Sequence, residues 1–345
     1  MEENTSEVPL LPDGKKVGII CNLKKGGVVS TADEEAEYDN PETVYAIRSA
    51  LIGHGIEAVV CEADTSLPET LKKQNIGFAF NIAEGKCGRG REAQIPALLN
   101  MYSIPFTGSD ETTLCVALDK ALTKRVLSTY GIKTPKYAVV YGKMPRVKLK
   151  YPVIVKPNAE GSGKGISDVS IVGSDAELKA LCEKNIALYG GEMLAEEFIS
   201  GREFTVGVLG NGKNTRVFRP MEIVFDRSRT GDFNVYSYKV KQNYKEYVEY
   251  ECPSSLDKKT EDKMMKIAAK VYASLGCRDM SRMDFRLSED GEIFFIEINP
   301  LPGLAPGYSD FPMLCEFCGM DYDTLIYEIF LAAAKRYGFV GEARR

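Results

Sequence analysis

Near the start of the chain, Lys16–Cys21 (KVGIIC), Ala58–Glu62 (AVVCE) and Ile76–Asn81 (IGFAFN) are short apolar runs rich in β-branched and aromatic residues, and they predict strands. Between the first two, residues 41–54 carry Val44, Ile47 and Leu51 at helical spacing. This alternation indicates a parallel α/β sheet. Further on, residues 151–156 (YPVIVK) read as an apolar strand ending in lysine, and residues 193–203 (MLAEEFISGRE) as a strand opening into paired acids and a Ser-Gly turn. Phe285, Phe294, Phe295, Ile296 and Ile298 are strand formers, with a hairpin signal, Asp290-Gly291, between them. Residues 322–337 predict a closing amphipathic helix.

The hairpin also carries candidate chemistry. Asp284 and Glu297 fall side by side if its strands are adjacent, and Glu297 and Asn299, two residues apart, face the same way. Two carboxylates and an amide are hard oxygen donors suited to Mg²⁺ (or Mn²⁺), which takes few protein carboxylates and completes its shell with phosphate oxygens. Acids at strand ends are common and also solvate ordinary sheet edges. Arg282 and the Pro302-Gly303 turn beside this pair favour a site for a nucleotide's phosphates.

Two upstream segments extend that reading. After the strand ending at Lys156 comes a glycine-rich loop, residues 160–165 (EGSGKG), which can bring backbone N–H groups and lysine charge to phosphates or serve only as a turn. It is not a Walker A loop, because Asn158 and Gly165 stand where that pattern needs glycine and Ser or Thr. The backbone from Glu196 to Ile199 can pair with an adenine edge and Glu203 can accept ribose hydroxyls; alone, the segment reads as an edge strand.

Strand, lysine and glycine loop, then an acidic hinge strand, then Asp…Glu-x-Asn: in this order the chain resembles the ATP-grasp superfamily, and within it the D-alanine–D-alanine ligase family. The resemblance runs from about Arg91 to about Ala334 and includes residues 104–110 (IPFTGSD), 118–124 (LDKALTK) and 236–241 (YSYKVK). It implies Lys120 and Lys156 on the ATP phosphates, with Ser162 in the loop covering them near the first substrate. Glu196, Glu197, Ile199 and Glu203 match the adenine and ribose contacts, and Lys241 a phosphate-contacting lysine on a closing loop. Asp284, Glu297 and Asn299 match the metal ligands, Arg282 the residue stabilising the tetrahedral transition state, and Gly303 a backbone donor on the oxyanion side.

The implied activity is ATP-dependent ligation of a carboxylate to an amine through an acyl phosphate. Such chemistry relies on positioning and charge stabilisation rather than on a protein nucleophile. The only histidine, His54, lies in a Gly-His-Gly turn and predicts no triad. The alternatives are D-alanyl-D-alanine formation itself, another ATP-grasp chemistry, and a nucleotide-binding protein without turnover.

The amino-acid half departs from the family. Glu37 or Asp39 is the candidate for the first substrate's ammonium group, and residues 81–91 (NIAEGKCGRGR) lack the family's histidine. Gln242 stands where the family has a tyrosine, and the turn after Gly303 is longer, so Ser309 matches the carboxylate-binding serine only loosely. Lys86, Arg89 and Arg91 suggest a substrate with an additional carboxylate, or simply a solvated loop. A ligase that need not prefer D-alanine as either partner follows as an expectation.

At 345 residues, two or three domains are expected, drawn at 1–118 (α/β), 119–200 (nucleotide lid) and 201–345 (metal strands), with ATP between the last two. A net charge of −5 offers no reason for nucleic-acid binding. The polar N-terminus and the lack of a long apolar run predict a cytoplasmic protein with no membrane association; small-molecule substrates and a homodimer complete the expected partners. Nine cysteines, several in apolar segments, suggest reduced thiols, and Cys315-x-x-Cys318 lacks the further ligands of a zinc site.

Overall fold

The computed structural model describes residues 7–9, 11, 14–25, 38–142, 148–160, 170–226 and 244–342. Glu37, Ser162, Lys241 and Gln242 lie outside them. Strand β1 (Glu7–Pro9) pairs with the last strand, β15 (Val340–Glu342). The first layer is a parallel three-stranded sheet in the order β3 (Ala58–Glu62), β2 (Lys16–Cys21), β4 (Ile76–Asn81). Helices α1 (Pro41–Gly53) and α2 (Leu67–Lys73) make its crossovers, as parallel pairing requires. α2 and α3 (Gln94–Met101) were not foreseen; α2 is short and starts Leu-Pro, so its period barely registers.

Helices α4 (Glu111–Leu118) and α5 (Lys120–Thr129) follow, capped by Asp110 and Asp119, whose carboxylates accept from Thr113 and Leu122 N–H. A four-stranded antiparallel sheet comes next in the order β5 (Tyr137–Val140), β8 (Met193–Glu197), β6 (Val153–Pro157), β7 (Ile171–Val172), packed by α6 (Asp175–Tyr189). β8 is therefore a central strand, not an edge. The large sheet runs β12 (Val248–Glu251), β11 (Met221–Phe225), β9 (Gly201–Leu209), β13 (Met280–Ser288), β14 (Ile293–Asn299), with β10 (Arg216–Val217) paired to β9. α7 (Lys258–Ser274), α8 (Asp310–Phe317) and α9 (Tyr322–Arg336) complete the chain.

Two cores join these layers. In the first, Ile19, Phe78 and Phe80 of the parallel sheet pack with Leu325, Ile329 and Phe330 of α9, so the two ends of the chain share one apolar interior. The Phe78 and Phe330 rings meet edge-on with centroids 4.9 Å apart. His54 ends α1 and stacks on Tyr327 at 4.1 Å, a structural role. In the second, Phe204, Phe285 and Phe295 pack with Met264 and Val271 of α7 and also with Leu127 of α5 and Ile132. α5, which follows residue 118 in the chain, thus anchors to the large sheet.

β9 crosses beneath α8 at Gly207, where a Cβ would lie 2.7 Å from the Leu314 side chain and 2.8 Å from the Phe311 ring. Because the clash is with packed side chains, Gly207→Ala should push α8 outward and cost about 1–3 kcal/mol of stability. Denaturant unfolding measures it; an unchanged midpoint would show that α8 does not depend on this close approach.

Candidate functional site

β13 alternates cleanly. Met283 and Phe285 enter the second core, while Arg282 and Asp284 face a cleft between the small sheet, the large sheet and the first layer. In the β13–β14 register Arg282 opposes Asn299 and Asp284 opposes Glu297, so all four side chains share one face. After Glu297 the register slips: Phe285 pairs with Phe295, leaving Ile296 as a bulge. The carbonyl of Ile296 accepts from Lys124 Nζ at 3.1 Å, an arrangement that ties α5 to the strand carrying Glu297.

Arg282 bridges Asp284 (2.7 Å) and Asp310 (2.8 Å), the first residue of α8. Burial lifts the Asp284 carboxyl to about 6, with Arg282 opposing the rise and Glu297 and Asp310 adding to it. Burial would also lift Glu297, but Lys120, Lys156, Arg282 and Lys124 outweigh it and hold its carboxyl at about 2. Lys120 Nζ stands 3.9 Å from Glu297. Among the described residues the buried amide nitrogen of Asn299 has no hydrogen-bond partner. Two carboxylates, one of them firmly ionised, and the amide oxygen of Asn299 are hard donors that fit a divalent cation. Among the described residues no group of three or more His, Cys, Asp and Glu could hold a metal.

The small sheet supplies the opposite wall. Glu196 is buried between Lys124 Nζ (2.6 Å) and Lys156 Nζ (3.2 Å). Burial alone would raise its carboxyl, but the two ammonium groups reverse that and keep it ionised. Its side chain is thus committed to the lysines. Glu197 N–H already donates to Lys136 and Phe198 N–H to Pro152, so Ile199, next along the pocket wall, carries the hinge beyond the ladder. Glu203 stands opposite Arg286, 2.5 Å away, while Arg286 also donates to the Ile199 carbonyl at 3.1 Å. Burial raises the Glu203 carboxyl and Arg286 opposes the rise.

At the other end, Asp39 reaches the cleft through a bridge to Leu23, and burial pushes its carboxyl to about 7 despite Lys24. Glu84 and Glu92 also line this end, within and beside the loop where the sequence lacks histidine. Ser309 Oγ accepts from Ala305 N–H at 3.1 Å, and a Cβ on Gly303 would meet that oxygen at 2.8 Å, so the turn closes on itself. Of the basic residues in this loop, Arg89 donates to buried Asp119, and Arg91 to Ala159 O at 2.8 Å, with Glu160 3.7 Å away. Both fasten the loop to neighbouring segments.

The described candidates Lys120, Lys156, Glu196, Ile199, Glu203, Arg282, Asp284, Glu297, Asn299 and Gly303 converge on this one cleft, and Glu197 flanks it with a carboxylate that accepts from Lys150 N–H at 2.8 Å. Sequence reasoning missed Lys124, Arg286 and Asp310. Arg286 was findable, since it repeats the spacing of Arg282 and Asp284 along one strand.

A family model described as D-ala D-ala ligase C-terminus matches residues 130–331. The chain belongs to the D-alanine–D-alanine ligase family. It is 34% identical over 327 residues to a D-alanine–D-alanine ligase of Carboxydothermus hydrogenoformans, covering 92% of this chain and 97% of that one. An uncharacterized protein of Sinorhizobium fredii is 28% identical over 338 residues, covering 93% and 98%. Among solved structures, D-alanine–D-alanine ligase from Bacillus anthracis complexed with ATP superposes with a TM-score of 0.72 at 21% identity, covering 94% of this chain and 99% of that chain, which establishes the ATP-grasp fold. The family is one of ATP-dependent ligases that form an amide bond.

Replacing Lys124 with Met would leave Glu196 half-neutralised in a buried site, a change that costs about 3 kcal/mol or more. Unfolding midpoints and ATP affinity should both fall. Wild-type values for both would separate this lysine from the nucleotide wall.

Proposed function

We propose that this chain is an ATP-dependent carboxylate–amine ligase that joins two amino acids, or an amino acid and another amine, with a substrate preference other than D-alanine for at least one partner. The observation that carries the reading is the contrast within one cleft. Lys120, Lys156, Arg282, Asp284, Glu297 and Asn299 converge where phosphates would lie, while Asp39, Glu84 and Glu92 wall the amino-acid end.

A carboxylate is a poor acyl donor, so its oxygen first attacks the γ-phosphorus of ATP, releasing ADP and leaving an acyl phosphate. The amine then attacks the carbonyl carbon, phosphate departs, and the nitrogen gives up its extra proton. Both steps concentrate negative charge, which pre-set cations stabilise without reorganisation. Lys120 and Lys156 hold the phosphates, the backbone from Glu196 to Ile199 takes the adenine, and Glu203 takes the ribose hydroxyls. Arg282, held in place by Asp284 and Asp310, faces the tetrahedral oxyanion, with Gly303 N–H on the same side. Asp284, Glu297 and Asn299 would hold Mg²⁺ or Mn²⁺, which neutralises phosphate charge when bound. Ser162 and Lys241 would complete the phosphate cover. Closure of the lid over the cleft would keep water from the acyl phosphate.

We place the domain boundaries near residues 118 and 200, with α5 bridging the second and third parts. A cytoplasmic homodimer is the proposed setting. Among the described residues no helix is long and apolar enough to cross a membrane. A second reading, D-alanyl-D-alanine formation, is favoured by the 34% identity to the Carboxydothermus enzyme.

An ADP-release screen across amino-acid pairs, with mass detection of the product, decides between the two. D-alanine alone should turn over more slowly than some other pair, and D-alanyl-D-alanine as the fastest product would sink the altered preference. Chelation of divalent cations should stop ADP release and added Mg²⁺ restore it. Glu297→Gln should fold normally yet lose at least about a thousandfold in turnover, corresponding to several kcal/mol of lost transition-state stabilisation. Normal ADP formation by that folded variant would remove Glu297 from the metal set.

A further inference from the structure

The Cys315-x-x-Cys318 pair does not act as a unit. Cys315 is fully buried in the first core, and burial drives its thiol upward. Cys318, at the end of α8, turns instead toward Cys252, which follows β12, and the two sulfurs lie 3.8 Å apart. All nine cysteines are free thiols, and these two are half-buried, within reach of small reagents. The pair spans 66 positions of sequence, so no local motif announces it.

We propose that Cys252 and Cys318 form an oxidisable dithiol, a modification site at which a peroxide closes an intramolecular disulfide between the end of β12 and the end of α8. The geometry is favourable, because rotation about the side-chain bonds can bring two sulfurs in contact to bonding distance. The electrostatics divide the roles. The two sulfurs share one contact in which either can donate, and Arg219 N–H with the Arg216 and Arg219 side chains favours the thiolate at Cys318 against burial. Burial beside that sulfur moves Cys252 the other way. We assign Cys318, nearer the arginines, as the attacking thiolate and Cys252 as the resolving thiol.

The Cys318 thiolate attacks one oxygen of the peroxide and the O–O bond breaks. Hydroxide leaves and takes a proton to become water, and the sulfur is left as a sulfenic acid. Cys252 loses its proton to the departing hydroxyl as its sulfur attacks Cys318, releasing a second water. Two thiols and one hydrogen peroxide thus yield one disulfide and two waters. A thiol reductant reverses the bond. The bridge secures the far end of α8, whose first residue, Asp310, holds Arg282, and joins it to the end of β12.

The test is a titration of the reduced full-length chain with hydrogen peroxide, followed by alkylation and non-reducing peptide mapping. The expected first product is a Cys252–Cys318 cross-link, lost on adding dithiothreitol and absent from Cys252→Ser and Cys318→Ser. Cys315→Ala should retain it. Cys252→Ser should trap Cys318 as a sulfenic acid that dimedone labels. The oxidised chain should melt at least about 3 °C higher than the reduced chain, since the cross-link restricts the unfolded state. A Cys315–Cys318 link would overturn the assignment. So would oxidation of the exposed Cys87 and Cys115 while Cys252 and Cys318 are both recovered alkylated.

Discussion

The cleft depends on the register between β13 and β14. With Asp284 opposite Glu297 and Arg282 opposite Asn299, four polar side chains must share the face away from the second core. A slip by one residue would turn them into the apolar interior and expose Met283 and Phe285, so burial of the core and construction of the site are one constraint. The bulge at Ile296 belongs to that constraint, since it gives Lys124 a carbonyl and keeps Glu297 within range of Lys120 and Lys156.

Charge is arranged so that the paired cations of the cleft each meet a fixed anion. Lys124 and Lys156 share Glu196, Arg286 holds Glu203, and Arg282 is shared by Asp284 and Asp310. Buried ions survive without substrate only with such partners. Phosphates entering the cleft would meet cations already positioned, which is the form of preorganisation that charge-separating chemistry needs. The opposing behaviour of Asp284 and Glu297, one raised and one lowered, follows from the same placement: Glu297 faces the lysines, while Asp284 lies nearer the other carboxylates.

The end of the cleft formed by the first layer has a different character. Asp39 and Glu84 stand on loops and Glu92 on a single 3-10 turn, not in ladder registers. Loops tolerate substitution, and this end can change without disturbing the strands of the two antiparallel sheets. Arg89 and Arg91 show the same division of labour, because their charge is spent on joining the loop to α5 and the small sheet.

Much of this was legible along the chain. The strands of the first layer, the β13–β14 hairpin and the final helix follow from local periodicity, and the Asp…Glu-x-Asn spacing places the oxygen donors on one face, because both depend on residues close in sequence. What the sequence by itself could not decide were encounters across long separations. Lys124 reaches Glu196 and the Ile296 carbonyl, Asp310 reaches Arg282 because Gly207 admits α8, and Cys318 meets Cys252 rather than Cys315. The arginines of the 81–91 loop meet Asp119 and Ala159, partners that no local pattern announces. Periodicity states which face a residue occupies. Which other face it meets is settled only when the sheets and helices pack.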